Sequence, residues 1–303
     1  VIEATVSAST SLKEQEMIGE FEYAHVSSVE QGCTLLTKHN GNAKILAGGT
    51  DLLVNIRNGK DSPTLLVDLK GIEELAEFQP NGKEGALIGA SVPLNVLAED
   101  RVIRRNYRAL AEAAASIGTY QIRNRATLAG NLCNASPAAD MAPALFVLDA
   151  VATVVGPHGT RTLPVQDLFV GVKENALSLD EVVTAITLPS QKPQIRTRFL
   201  KIQRIRGHDL ALLNMAGCLD AASGKLRIAI GSCAKTPLLL PSLNEPVSED
   251  ASIDALVEKL NALAQGTIQP ISDLRASAEY RRAMVSVLLK KILGALLHPK
   301  EEK

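Results

Sequence analysis

Ile45-Leu46-Ala47-Gly48-Gly49-Thr50-Asp51-Leu52-Leu53 joins an apolar run to a second apolar run through a Gly-Gly step. It predicts a strand over Lys44 to Ala47, a turn, and a helix that Thr50 caps and that runs through Asn58-Gly59. Glycine carries no Cβ, so a ligand can approach the main chain and meet several N–H groups at once. The first turn of a helix adds N–H groups with no partner inside the helix. The turn therefore suits an anionic ligand. An ordinary strand–helix turn has the same composition, so this loop alone leaves both readings open.

The second informative stretch is longer. Gln121-Ile122-Arg123-Asn124-Arg125 leads into Thr127-Leu128-Ala129-Gly130-Asn131-Leu132-Cys133-Asn134-Ala135-Ser136-Pro137-Ala138-Ala139-Asp140. Thr127, Asn131, Asn134, Ser136 and Asp140 place polar groups in an otherwise apolar run. Asp140 stands between Ala139 and Met141, so it is a buried, hydrogen-bonded carboxylate, a helix cap, or a group aimed at a ligand hydroxyl. Together the two loops point to a dinucleotide held between two lobes. No G-x-x-x-x-G-K-[ST] and no strand-borne G-x-G-x-x-G is present, so neither a P-loop nor an ordinary Rossmann crossing is indicated.

A chain of 303 residues with 46% hydrophobic content can build two or three domains. A net charge of −1, 3% aromatic residues and no Trp argue against a nucleic-acid surface. The four cysteines (Cys33, Cys133, Cys218, Cys233) form no CxxC and have no histidine at metal-ligand spacing, which argues against a local zinc or iron–sulfur site and suits a reducing, cytoplasmic setting. No apolar run of about 18 residues signals a membrane span. Residues 1–19 are polar and acidic, read as a loose arm rather than a signal peptide.

Further elements follow from periodicity and punctuation. Ser27-Ser28 caps a helix to about His39, stopped by Asn40-Gly41. Leu65–Asp68 and Ala86–Ala90 are strands, Pro93 opens a short helix, and Tyr107–Ile117 is an alanine-rich helix ended by Gly118. Met141–Leu148 is a short buried helix, and Val151–Val155, Val182–Leu188 and Arg198–Ile202 are strands. A second region opens near Pro193 with paired strands around Ser223-Gly224. Helices over Ile253–Leu263 and Ala276–Leu297 close the chain, the last with Met284, Val285, Leu288, Leu289, Ile292, Leu293 and Leu296 on one stripe.

Four motifs in order, AGGTDLL, QIRNRATLAGNLCNASPAAD, FLKIQRIRGHDLALL and ISDLRASAEYRR, resemble the FAD-binding medium subunit of the molybdenum hydroxylases, the group that includes xanthine and carbon monoxide dehydrogenases. The resemblance runs from about Phe21 to Leu296. It implies an α+β fold: a two-lobed FAD-binding domain of the vanillyl-alcohol-oxidase (PCMH) type over 20–192, then a smaller α+β domain over 193–303. It implies that Ile45, Leu46, Ala47, Gly48, Gly49, Thr50, Asp51 and Leu52 wrap the FAD pyrophosphate, with Thr127, Gly130 and Asn131 as the second wall. It further implies that Asp140 meets FAD hydroxyls, Lys201 lies near the polar edge of the flavin and Val183 packs against the ring. Valine at Gly48 or Gly49 is then expected to remove FAD and leave the fold intact. Two positions depart from the family pattern: Ala129 replaces a glycine, and Ile205 separates Arg204 from Arg206.

The same resemblance implies partners. A large subunit carries the molybdenum cofactor, a small one carries 2Fe–2S clusters, and the whole is a dimer of heterotrimers. FAD here passes electrons to an acceptor such as NAD or a quinone, and no catalytic acid or base is expected on this chain. Two other readings stay open: a free-standing flavin oxidoreductase of the same fold, and a non-enzymatic scaffold. His208-Asp209 reads as a solvated turn, Cys133 as a space-filler, and Arg275, Glu279, Arg281 and Arg282 as surface ion pairs or, alternatively, as contacts of the fold or between subunits.

Overall fold

The structure is a computed structural model that describes residues 20–299 apart from 83 and 206. The expected arm and the role of Arg206 lie outside the described residues. The chain begins with β1 (Glu22–His25), α1 (Val29–His39), β2 (Ala43–Leu46), α2 (Leu52–Arg57) and β3 (Leu65–Asp68). The three strands form a parallel sheet in the order β1-β3-β2. Parallel strands need crossovers, and α1 and α2 supply them. The ends of α1 are written in the sequence: Ser28 Oγ accepts from Gln31 N, and Asn40 takes the left-handed conformation.

The next lobe is an antiparallel sheet fed from distant parts of the chain. Its strands are β4 (Phe78–Gly82), β5 (Gly85–Gly89), β6 (Val151–Gly156), β7 (Gly159–Pro164) and, after the small β8 (Phe169–Gly171) and β9 (Glu174–Asn175), β10 (Val182–Pro189). The order is β4-β5-β10-β6-β7. Between β5 and β6 lie α3 (Leu94–Glu99), α4 (Arg101–Asn106), α5 (Arg108–Ala115), α6 (Tyr120–Arg123), α7 (Leu128–Cys133) and α8 (Met141–Val147). α1 packs across both sheets and buries Val29, Cys33 and Leu36.

The last region holds β11 (Ile195–Ile202), β12 (Leu213–Asp220), β13 (Lys225–Gly231) and β14 (Leu238–Leu239), in that order, with α9 (Ile253–Thr267) and α10 (Ala278–Leu297). β12 is buried from Leu213 through Leu219, so both faces are covered. Strand alternation sorts them. Leu213, Met215 and Leu219 join the cluster built with α9 and α10, whereas Ala216 and Cys218 join the core of the amino-terminal lobes. α5 and α8 press on that second face. α8 is apolar on every side and buried throughout, as a helix between two layers must be.

Candidate functional site

The two glycine-bearing loops meet. A Cβ on Gly48 would collide with the carbonyl of Arg125 and the Cα of Ala126. Gly48 is thus glycine because the backbone of the second loop lies against it. This corrects the expectation that valine there leaves the fold intact. Gly49 has φ +74, a left-handed conformation that favours glycine, and its α-carbon faces Leu46 and Leu53 side chains. Leu53 N donates to Gly49 O at 3.2 Å and Asn55 N to Asp51 O at 2.9 Å. The N–H groups of Gly49, Thr50, Asp51 and Leu52 have no hydrogen-bond partner among the described residues. They form a run of donors on a half-exposed loop.

Thr50 does not cap α2. Asp51 holds the cap position, and it makes no side-chain cap bond. The loop is anchored from below: Lys70 Nζ donates to Ala47 O at 3.3 Å and pairs with Asp68 Oδ1 at 2.7 Å. Tyr23 Oη also donates to the Asp68 carboxylate. Burial pushes the Asp68 carboxyl up, but Lys70 and Tyr23 outweigh it and hold the group below its ordinary range.

The second loop is built on α7. Thr127 caps it, Oγ1 accepting from Gly130 N at 3.0 Å. Ala129 turns its methyl into the core, so the extra carbon relative to glycine is accommodated by packing. Asn131 Oδ1 is buried with no hydrogen-bond partner. A buried acceptor left open is costly, and a hydrogen-bond donor on a bound ligand would satisfy it. Ala135 sits at φ +43, rare for a residue with a Cβ. Lys173, which sequence reasoning missed, donates from N to Ala135 O (3.0 Å) and from Nζ to Asn134 Oδ1 (2.9 Å). Desolvation lowers its pKa, and the charge of Asp51 on the first loop opposes that shift. No periodicity could have revealed it, because it rides the turn of a two-residue strand.

Asp140 and Lys201 come together, but with each other. Lys201 Nζ donates to Asp140 Oδ2 at 2.7 Å and to Ser116 O at 3.2 Å, and Asn214 Nδ2 donates to Asp140 Oδ1 at 2.7 Å. Asp140 is 6% exposed and makes no cap bond to α8. Burial pushes its carboxyl up, and Lys201 and Asn214 oppose that. Register explains the geometry. Lys201, Asn214 and Gly231 lie in one row across β11, β12 and β13, on the face toward the amino-terminal lobes. A Cβ on Gly231 would strike Asn214 Oδ1. The expected contact of Asp140 with a ligand hydroxyl is therefore preceded by a structural one, since both carboxylate oxygens already accept from the chain. Val183 lies inside the second lobe, 4% exposed, beside a bulge in β10.

Arg204 closes its own loop on Asp209, whose carboxyl the arginine holds at about 2. Arg281 is 3% exposed, which overturns the surface reading for that residue. All four cysteines are free thiols, and burial pushes the Cys133 thiol up to about 12, so it is protonated at neutral pH. No group of metal-ligating side chains occurs among the described residues. No described helix is long and apolar enough to cross a membrane. A surface cavity of about 420 Å³ is lined by Leu36, Thr37, Asn40 and Leu179, none of them in the two loops.

Two family models match the chain: the FAD binding domain in molybdopterin dehydrogenase over residues 19–191, and the CO dehydrogenase flavoprotein C-terminal domain over 198–296. The chain is 30% identical to the xanthine dehydrogenase FAD-binding subunit of Escherichia coli O157:H7, covering 91% of this chain and 96% of that one. It is 30% identical to the carbon monoxide dehydrogenase medium chain of Afipia carboxidovorans, covering 90% and 95%. The solved carbon monoxide dehydrogenase of Hydrogenophaga pseudoflava superposes with a TM-score of 0.86 at 28% identity, over 92% of this chain and 98% of that chain.

Proposed function

The chain belongs to the family of FAD-binding domains of molybdopterin dehydrogenases, and on that premise we propose that it is the FAD-carrying electron-transfer subunit of a multi-subunit molybdenum hydroxylase. The observation that carries this reading is the junction of the two loops. Gly48 lies against the Arg125–Ala126 backbone, residues 49–52 beside it carry unpartnered N–H donors, and α7, which follows Ala126, carries the open buried acceptor of Asn131. Phosphate oxygens need donors, and sugar or ring N–H and O–H groups need acceptors. The chemistry of this donor and acceptor set fits FAD.

Within the reading, Ala47 to Leu52 bind the pyrophosphate through their backbone, and Gly48 lets the second loop close against the first. Ile45 and Leu46 lead the chain into that turn. Thr127 fixes the start of α7 and so presents Gly130 and Asn131. Lys173 brings a positive charge beside both loops. Asp140 and Lys201 serve first as the brace that aligns the second loop with β11, and Val183 forms part of the apolar bed. FAD, when bound, accepts electrons in pairs and releases them singly, which links iron–sulfur carriers to a terminal acceptor. The residues of this chain bind, orient and shield it; none is assigned proton transfer.

The partners in this reading are a large molybdenum-cofactor subunit and a small 2Fe–2S subunit, as a cytoplasmic dimer of heterotrimers. The acceptor is NAD, a quinone or another carrier. Affinity purification of the tagged chain from its native host tests the assembly. Recovery of two further subunits with molybdenum, iron, acid-labile sulfide and FAD is the expected result. Recovery of the chain alone with FAD and direct turnover of a small substrate would replace it with the free-standing oxidoreductase.

A further inference from the structure

The fourth motif of the sequence, ISDLRASAEYRR, has no part in the loops, yet it contains the buried Arg281. We propose that Arg281 is a positioning residue for the second cofactor loop, acting through the strand ends that grip residues 137–140. The proposal rests on the FAD reading above and adds to it a role for the carboxy-terminal region.

Arg281 lies near the start of α10 and points its guanidinium into the sheet. Nη1 donates to Leu212 O at 2.6 Å and to Ser232 O at 3.1 Å, and Nη2 donates to Asp273 Oδ1 at 2.9 Å. Leu212 immediately precedes β12 and Ser232 immediately follows β13, so one planar fork ties the ends of two neighbouring strands. Both strand ends then reach the second loop. Ser232, at φ +65, donates its N–H to Pro137 O at 2.8 Å. Asn214, two residues into β12's run from Leu212, donates to Asp140. Pro137 and Asp140 are thus each held by a residue within two positions of a carbonyl that Arg281 fixes.

The fork has its own support. Asp273 accepts from Arg275 N (2.9 Å), Arg275 Nη2 (2.6 Å) and Ala276 N (3.1 Å) while it pairs with Arg281. Burial raises the Asp273 carboxyl, but these donors prevail and hold it well below the usual carboxylate range, so it stays ionised opposite Arg281. A lysine carries the charge but not the fork, and it cannot serve both carbonyls and the carboxylate with the same geometry. Shape as well as charge is therefore required.

The test uses the full chain, with Arg281→Lys and Arg281→Gln compared with wild type at a temperature where far-UV dichroism shows each apo form folded. FAD affinity is measured by titration, the resolution of the bound flavin's visible absorption bands is recorded, and hydrogen exchange is followed at the amides of residues 134–136, 138–140 and Ser232. Expected are FAD binding weakened at least 10-fold in Arg281→Gln, an intermediate loss in Arg281→Lys, blurred flavin bands, and faster exchange at those amides. If Arg281→Gln does not fold, Arg281→Lys carries the same comparison. Wild-type affinity, spectrum and exchange in a folded variant would overturn the proposal, as would a lower melting temperature with all three unchanged. If wild type itself binds no FAD, the FAD reading fails. The exchange at 134–140 then still decides whether Arg281 positions that segment.

Discussion

The two loops proposed to hold FAD are built in opposite ways. Residues 47–52 are half-exposed or exposed, hang from the end of β2, and leave a row of backbone donors unused. Residues 127–140 are anchored at nearly every turn: by the Thr127 cap, by Lys173, by Ser232 on Pro137, and by Lys201 and Asn214 on Asp140. Binding and stability therefore reside in different loops. The first loop offers its main chain to a ligand at little structural expense. The second is a joint between the amino-terminal lobes and the β11–β14 sheet, and its chemistry cannot be altered without loosening that joint.

The largest effect is expected at Asp140. Asp140→Ala leaves the Lys201 ammonium buried without its partner, which costs about 3–5 kcal/mol in comparable cases. Chemical denaturation of the apo protein should show that loss, and a double change of Asp140→Leu with Lys201→Met should recover part of it. A small change in apo stability with a large loss of FAD affinity would return Asp140 to the role of direct ligand.

Gly48→Val comes next. Its side chain meets the Arg125–Ala126 backbone, so both loops must separate. FAD content and apo melting temperature should fall together. Gly49→Val separates the two properties. A branched residue forced to φ +74 costs about 1–3 kcal/mol, and the loop rearranges locally. FAD affinity should drop sharply while the apo melting temperature falls less than in Gly48→Val. Equal FAD content in a folded Gly49→Val protein would remove the first loop from the site.

A smaller, pH-dependent effect is expected at Asp273. Its carboxyl titrates below an ordinary unfolded value of about 3.9. The stabilisation it provides is therefore full above that value and is lost as pH falls toward the folded one. Asp273→Asn should melt below wild type at neutral pH, and the gap should narrow when melting is repeated below about pH 4. A constant gap would contradict the ion pair. Thr50→Ala marks the lower limit. With no cap bond to lose, apo stability should change by no more than about 0.5 kcal/mol.

Much of this was legible in the sequence where local rules act alone. Leu65–Asp68 is β3 as expected, and Ser28 and Asn40 bound α1 because capping is a matter of adjacent residues. The stripe on α10 from Val285 to Leu296 is buried as its period requires. Gly159–Pro164 escaped because it is an edge strand, almost wholly exposed, with no alternation to read. Phe78–Gly82 escaped because Pro80, Asn81 and Gly82 read as a turn. At the site, the glycines and Asn131 stood out by composition. The partners of Asp140 and Arg281 did not, since they lie on strands and carbonyls far along the chain, and only the register of β11, β12 and β13 brings them there.

If these loops hold one FAD without a covalent bond, acid precipitation of the purified chain will free it. Release of yellow flavin to the supernatant, identified chromatographically as FAD in one-to-one ratio with the protein, is the predicted result. Flavin retained on the pellet, or intact folded protein that contains and binds no flavin, would contradict it.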